Sequence, residues 1–267
     1  MKIIFSNIKS FDRGSVPDNL YYLEMAALSN YFVKSNGFET IFFGDEDSLK
    51  EFKNIEYDHF QLINKKEIDI FPKCMWSMGK LVALTKVNEP VLHVDMDLFF
   101  NKLDHTLINK DIICLHSEMF IKDMPILQEL FEIRPRQAEG FDVVSYNCGI
   151  IGGKDYITIN KSINILFNFI NDNYDYINKI YNQYKNIEKY GSIFFPAVLA
   201  EQIWLFQIFK YFNKEISCYV NINKNHDWIK TYDCLFKNNI IHLMHRKYEN
   251  GWKEILSEKA RSLNLKF

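Results

Sequence analysis

The sequence has little glycine and proline, no paired cysteine motif and no long apolar run. Of 267 residues only 10 are Gly and 6 are Pro, so few long flexible loops are expected. No stretch approaches the roughly 18 uninterrupted apolar residues that a membrane-spanning helix needs. The five cysteines are dispersed, without C-x-x-C or C-x-H spacing, which argues against zinc ribbons and short redox motifs.

An excess of charge of one sign is also absent. Lys and Arg number 32 against 34 Asp and Glu, a net charge of -2, so there is no basic footprint for nucleic acid. The hydrophobic fraction of 48% is too high for disorder, and the aromatic fraction of 16% predicts a large packed core.

The start of the chain and the dispersed thiols predict a cytoplasmic location. Met1 to Ser6 turns polar too soon for a signal peptide, and isolated cysteines are typical of a reducing compartment. Peripheral membrane contact is left open by basic residues near the C-terminus, namely Lys253, Lys259, Arg261 and Lys266.

Strand-like and helix-like segments alternate from the first residues, which favours an α/β domain with a parallel sheet and right-handed crossovers. We find no repeat or linker, and predict a single domain over residues 1–267. The predicted strands are 2–5, 39–44, 91–94, 111–115, 218–220 and 240–243, and the predicted helices are 21–35, one from Asp45, 73–86, 156–190, 197–212 and a charged one after Trp252.

The most informative segment is Val91 to Asp97, an apolar run that ends in two aspartates. Isolated buried charge is costly, so Asp95 and Asp97 should mark the carboxyl end of the strand. Open α/β sheets bind ligands there, and two carboxylates suit Mg²⁺ or Mn²⁺, which can hold a diphosphate. The alternative is that the two aspartates only cap a turn.

A second segment, Asn147 to Gly153, holds three of the 10 glycines within five positions, at 149, 152 and 153. Glycine lets the backbone approach a ligand closely, and Asn147 adds a donor and an acceptor. An ordinary bend at the end of a strand explains the same pattern equally well.

Three further residues are candidates, each with a simpler alternative. His242 follows a short apolar strand and is either a metal ligand or a histidine at the edge of the core. Lys80 lies in a helix before the Asp95 strand, and the alternative to a functional role is a surface lysine. Glu201 lies near the start of an apolar helix and is either a functional acid or a favourable charge for the helix dipole.

In their order along the chain, these motifs resemble the nucleotide-sugar glycosyltransferases of the GT-A fold, particularly family 8 and its relatives. Val94 to Asp97 resembles the D-x-D motif of that family. The segment from Tyr146 to Gly153 is similar to its N-A-G-I-I-G-G motif, with Cys148 in the Ala position. The sequence departs from family 8 after His242. His245 stands where the family has a Gly, and Arg246, Lys247 and Tyr248 replace its later Lys-Pro-Trp.

The resemblance implies a mixed, mostly parallel central sheet flanked by helices, a Mn²⁺ or Mg²⁺ ion and a nucleotide-sugar donor, with UDP-sugars favoured over GDP-sugars. Asp95, Asp97 and His242 would hold the metal, and Asp97, Glu201 and Lys80 would be catalytic. The donor would be bound by Ser6, Trp76, Lys80, Asp95, Asn147, Gly149, Gly152 and Lys247. Ser6 begins a segment, ending at Asp12, that would contact the base and the ribose.

Two other classes remain as alternatives. The chain could bind nucleotide-sugars without turnover, because function resides in a site and not in a fold. A metal-dependent nucleotidyltransferase or phosphohydrolase also uses paired aspartates, but the segment from Ile4 to Lys9 lacks the glycines of a phosphate loop. The sequence leaves open the donor base, the sugar, the acceptor, the stereochemical outcome and the oligomeric state.

Overall fold

The computed structural model describes residues 1–11, 19–103, 106, 109–118, 125–185, 195–222, 235, 237–238, 240–243 and 251–267. The strands are β1 Lys2–Asn7, β2 Glu39–Gly44, β3 His59–Leu62, β4 Val91–Val94, β5 Leu98–Phe100, β6 Ile112–Glu118, β7 Ser145–Gly153, β8 Ile216–Cys218 and β9 Ile240–His242.

The helices in these ranges are α1 Asn19–Ser35, α2 Glu46–Phe52, α3 Lys65–Ile68, α4 Met78–Thr85, α5 Pro125–Glu132, α6 Tyr156–Asp172, α7 Tyr174–Tyr184, α8 Phe195–Leu199, α9 Leu205–Tyr211 and α10 Trp252–Ser262. A 3-10 turn covers Arg136–Ala138, and a π-helical turn at Ala200–Trp204 joins α8 to α9. In this part of the chain, no helix is both long enough and apolar enough to cross a bilayer.

The central sheet has seven strands in the order β3-β2-β1-β4-β7-β6-β8. Neighbouring strands are parallel except around β7, which is antiparallel to both β4 and β6. Parallel neighbours need crossover connections, and α1 and α2 supply them between β1, β2 and β3. The predicted α/β class with a mixed, mostly parallel sheet flanked by helices is therefore confirmed.

Helices cover both faces of the sheet, because successive strand side chains point to opposite sides. Along β1, Ile4 packs in a core cluster with Leu81 of α4. Ile3 and Phe5 pack on the other face with Ala26 of α1. Many of the aromatic residues are in these two cores, including a stack of Phe42, Phe52 and Tyr57.

A second, two-stranded sheet pairs β5 with β9, with Leu98 opposite His242. The sequence pattern predicts β9 but misses two short strands. These are β5, whose three residues follow the D-x-D segment directly, and β3, whose four residues are all exposed. This small sheet matters for function because it carries the C-terminal part of the chain back to the end of β4.

Several predicted helix boundaries are wrong. The single helix expected over 156–190 is divided at Asn173, whose backbone (φ -110°, ψ 19°) leaves the helical region, and 186–190 lie outside the described ranges. The helix expected from Lys73 begins at Met78. The helix expected from Ala197 begins at Phe195, so Glu201 lies within its π-helical turn and not near its start.

Candidate functional site

The strand order reverses between β1 and β4, since the chain runs from β1 outward to β3 and then returns to the opposite side of β1. Open α/β sheets bind ligands in the crevice outside the carboxyl ends of the strands at such a reversal. Ser6 lies near that end of β1 and Asp95 follows that end of β4. The sheet topology therefore places several of the predicted site residues at the expected position for a ligand.

Asp95 and Asp97 lie in the tight turn that links β4 to β5. The backbone N–H of Asp95 donates to the carbonyl of Gly149 (2.9 Å), and that of Leu98 donates to the carbonyl of Asp95 (3.1 Å). The hydroxyl of Ser29, on α1, donates to the carbonyl of Leu98 (2.6 Å). The turn is thus held by β7 on one side and by α1 on the other.

Pairing of β5 with β9 brings His242 to the same turn. The N–H of Leu243 donates to the carbonyl of Asp97 (3.0 Å), and Nε2 of His242 lies 3.5 Å from Oδ1 of Asp97. One ligand atom from each of Asp95, Asp97 and His242 lies within 4.8 Å of the others. The predicted metal ligands therefore converge, although the third is far from the other two along the chain.

Gly149 leaves the space that the ring of His242 occupies. A Cβ atom at this position would lie 2.8 Å from Cε1 of His242 and 3.0 Å from Oδ1 of Asn147. That Oδ1 accepts the N–H of Gly149 (2.9 Å), while Nδ2 of Asn147 donates to Glu118 at the end of β6 (2.5 Å). Asn147 and Gly149 thus lie along one side of the triad formed by Asp95, Asp97 and His242.

Lys80 is buried and saturated with acceptors. Its Nζ lies 2.7 Å from Oδ1 of Asp95, 2.6 Å from Oε1 of Glu201 and 2.8 Å from the carbonyl oxygen of Cys148. A lysine ammonium has three donors, so each has an acceptor within the protein. The side chains of Lys80 and Glu201 are only 7% and 2% exposed, which excludes the surface-lysine alternative.

Burial and charge act in opposite directions on this ion pair. Burial tends to lower the pKa of Lys80, but the carboxylates of Asp95 and Glu201 raise it above its ordinary value, so the ammonium stays charged. Burial raises the pKa of Glu201 to about 6, against the opposing effect of Lys80 and with a further contribution from Asp95. Lys80 of α4, paired with Glu201 of the π-helical turn, thus places a fixed positive charge beside Asp95.

Ser6 is placed at the same crevice through His93 of β4. The hydroxyl of Ser6 lies 2.8 Å from Nε2 of His93. Burial, assisted by the charge of Lys80, lowers the pKa of His93 well below its ordinary value, so this imidazole is neutral. His93 and Glu118 are site residues that the sequence did not single out, although His93 stands two positions before Asp95.

Gly152 and Trp76, both predicted to bind the donor, also take part in the packing of the sheet and the core. Gly152 lies within the sheet opposite Leu92, with φ +150°, and a Cβ atom there would lie 2.2 Å from the carbonyl oxygen of Val91. Trp76 is partly buried against the core that contains α4. Lys247 lies outside the described residues, as do His245, Arg246 and Asp12.

Five of the predicted residues form two clusters that share Asp95. Lys80 and Glu201 form the ion-pair cluster with Asp95, whereas Asp97 and His242 form the metal-ligand cluster with it. The carbonyl of Cys148 joins the first cluster, and the sequence could not have indicated this because any residue supplies a carbonyl.

The chain belongs to a family of unknown function, DUF6734, whose model matches residues 46–264. No curated protein matches the sequence significantly. Among solved structures the chain is similar to the galactosyltransferase LgtC in complex with donor and acceptor sugar analogs, at 13% identity and a TM-score of 0.48, with 98% of this chain and 96% of that one covered. An active-site mutant of LgtC is similar at 14% identity and a TM-score of 0.47, with the same coverage.

Proposed function

We propose that this protein is a metal-dependent glycosyltransferase of the GT-A fold, which moves a sugar from a nucleotide-diphosphate sugar to an acceptor. The observation that carries the proposal is the convergence of Asp95, Asp97 and His242 at the end of β4, beside the reversal of strand order. An anionic site in that crevice suits a divalent cation and, through it, a diphosphate. The resemblance of the D-x-D segment and of Asn147–Gly153 to the family motifs favours a nucleotide-sugar as the molecule that contains this diphosphate.

The three side chains fit a divalent metal in their chemistry. Two carboxylates and one imidazole suit Mn²⁺ better than Mg²⁺, because Mg²⁺ prefers an all-oxygen shell. Nδ1 of His242 is buried without a hydrogen-bond partner among the described residues, so the ring has capacity for a further interaction. When bound, the metal would supply Lewis-acid stabilisation of the diphosphate leaving group.

Lys80 would stabilise the same leaving group through its fixed positive charge. Glu201 is in direct contact with Lys80 and is almost fully buried, which favours a positioning role for this carboxylate over a role as general base. Asp97 would act through the metal that it holds. Ser6, Asn147 and Gly149 would contact the donor from the ends of β1 and β7, with Trp76, Gly152 and Lys247 as further donor residues. A UDP-sugar is the favoured donor, and a GDP-sugar is the other candidate.

We also propose a cytoplasmic location for this reaction. In support, Cys74, Cys114, Cys148 and Cys218 are all free thiols in the structure, the state expected in a reducing compartment. The acceptor would be a glycan, a protein or a small molecule.

A panel of UDP- and GDP-sugars, assayed with and without Mn²⁺ for release of free nucleotide, tests the proposal. The expected result is Mn²⁺-dependent turnover of one donor by the wild type and a loss of at least about a hundredfold in His242→Ala, the typical effect of removing a catalytic-site group of this kind. His59→Ala is the control, because His59 is exposed on β3 and remote in sequence from the triad.

Two results would contradict the proposal in different ways. Full activity in His242→Ala would remove the histidine from the metal site. Tight binding of a nucleotide-sugar with Mn²⁺, without turnover on any acceptor or on water, would favour the binding-domain alternative. A rise in melting temperature with the same nucleotide-sugars and Mn²⁺, measured before the assay, would identify binding without turnover.

A further inference from the structure

Two cysteines that are far apart in sequence face each other across the last two strands of the sheet. Cys114 on β6 and Cys218 on β8 are directly paired in the parallel register of these strands. Their Sγ atoms lie 3.6 Å apart, and both residues are free thiols. Neither belongs to the metal-ligand cluster or to the ion-pair cluster.

The backbone around the two cysteines already has the spacing of a cross-strand disulfide. Neighbouring strands are about 4.8 Å apart, within the range of roughly 4.4–6.8 Å between Cα atoms that a disulfide spans. The ladder continues past the pair, since the N–H of Tyr219 donates to the carbonyl of Cys114 (2.8 Å) and that of Val220 to the carbonyl of Leu115 (2.9 Å). The sulfurs, now 3.6 Å apart, would have to approach to the disulfide bond length of about 2.05 Å.

The two thiols differ in access and in acidity. Cys114 is fully buried, whereas Cys218 is half-buried on the edge strand. A hydrogen bond from the Cys114 thiol, aided by one from the backbone of Ser117, lowers the pKa of Cys218 against the effect of burial. Burial raises the pKa of Cys114 well above its ordinary value. The less buried cysteine is thus also the better nucleophile, because the thiolate is the reactive form.

We infer that Cys114 and Cys218 are a redox modification site, at which a reversible disulfide joins β8 to β6. With a small-molecule disulfide such as oxidised glutathione as oxidant, the thiolate of Cys218 attacks one sulfur and releases the first glutathione thiolate. Cys114 then loses its proton and attacks Sγ of Cys218, which releases the second glutathione. Two electrons pass from the cysteine pair to glutathione, and both leaving groups end as thiols.

The consequence of this step would be mechanical and local. β8 is the edge strand of the seven-stranded sheet and pairs with β6 at only three positions. A bond from Cys218 to Cys114 would hold this edge strand even when its backbone ladder opens. The inference does not depend on glycosyl transfer, so its failure would leave the proposed function untouched.

Intact-mass and peptide analysis of the native protein after exposure to oxidised glutathione tests the inference. The expected product has lost two hydrogen atoms, has two fewer alkylatable thiols and yields one cross-linked peptide that contains Cys114 and Cys218. Its melting temperature should rise by roughly 5 °C or more, because the bond closes a long loop in the unfolded chain. Dithiothreitol should reverse all three changes.

Two single substitutions serve as test and control in the full chain. Cys218→Ser should abolish the cross-link and the thermal shift, whereas Cys234→Ser, at a cysteine outside the described residues, should leave both intact. A cross-link that persists in Cys218→Ser, or that disappears in Cys234→Ser, would overturn the assignment. So would a wild-type protein that ends as a stable glutathione adduct at Cys218, because Cys114 would then have failed to resolve it.

Discussion

The ion-pair cluster and the metal-ligand cluster share Asp95 but differ in what completes them. In the first, folding itself supplies the cation, since Lys80 reaches Asp95, Glu201 and a backbone carbonyl at once. The second gathers two carboxylates and an imidazole, all of which are potential metal ligands. We therefore expect the first cluster to act mainly on stability and the second to respond mainly to a cation from solution.

This difference bears on how Asp95 can serve both clusters. Its Oδ1 lies 2.7 Å from Nζ of Lys80, and a carboxylate has a second oxygen that can accept from another direction. The lysine fixes the orientation of Asp95 before any metal binds, which reduces the entropy lost on binding. Four substitutions separate the two clusters, in order of decreasing expected effect.

Lys80→Met should give the largest loss of stability. It leaves Glu201 buried without its counter-ion, and breaking a buried ion pair from one side costs about 3–5 kcal/mol. Urea unfolding at neutral pH measures the loss. Lys65→Met is the matched control, because Lys65 is exposed and pairs with Asp69 along one helix, an arrangement worth less than about 1 kcal/mol. Equal stability of the two variants would show that the ion-pair cluster does not support the fold.

Asp97→Asn should abolish stabilisation by Mn²⁺. Binding to the folded state alone adds about 2.7 kcal/mol when the metal is at a hundred times its Kd, and the variant loses one of the three ligands. Thermal unfolding with increasing Mn²⁺ measures this effect without any substrate. Asp172→Asn, at an exposed aspartate at the end of α6, should respond to Mn²⁺ like the wild type. A full response in Asp97→Asn would exclude this carboxylate as a ligand.

Glu201 should make stability fall as pH rises across the mildly acidic range. Its pKa is about 6 in the folded protein against 4.5 ordinarily, so the folded state binds the proton more tightly than the unfolded state. The stability that the protonated form contributes is fully present below pH 4.5. It is lost as the pH rises from 4.5 to about 6, and it is absent at higher pH. The expected loss, relative to Glu201→Gln, is about 2 kcal/mol.

Urea unfolding of the wild type and Glu201→Gln at several pH values, with a chelator present, measures this difference. Glu258→Gln, at an exposed glutamate of α10, controls for the loss of one negative charge. A difference between wild type and Glu201→Gln that stays constant with pH would contradict the assigned titration.

Gly149→Ala should have the smallest effect on stability and a clear effect on metal binding. The added methyl group would meet the ring of His242, and overpacking of this kind costs about 1 kcal/mol when the neighbour can rotate away. Calorimetric titration with Mn²⁺ should show weaker binding because His242 is displaced. In a His242→Ala background the same substitution should have no further effect on Mn²⁺ affinity, and an undiminished effect there would rule out the ring as its cause.

The order of strands and helices could be predicted from local patterns, and the ends of helices less well. The acidic start of α2 is correct, with Asp45 accepting the N–H of Ser48 as the helix cap. The break at Asn173 and the π-helical turn around Glu201 were not predicted, because hydrophobic spacing reports which face of a segment is buried and not where its hydrogen bonding changes. Whether residues 1–267 form a single domain stays a prediction.

Part of the candidate site was also readable in the sequence. Asp95 and Asp97 stand where an apolar strand ends, and the glycines of β7 are concentrated in one segment. Glu118 and His93 were not found, because each lies in an ordinary strand pattern and gains its site position only from its neighbours. The dispersed cysteines gave no sign of a redox motif, yet the register of β6 and β8 makes Cys114 and Cys218 neighbours.

The residue pattern by itself determined an α/β chain with two carboxylates at the end of a buried strand. Only the tertiary structure decided what meets those carboxylates. The pairing of β5 with β9 brings His242 to Asp97, and the packing of α4 and the π-helical turn against β7 buries Lys80 with Glu201. The physical reason is that period and composition identify a strand or a helix, whereas its partner and register depend on long-range burial and hydrogen bonding.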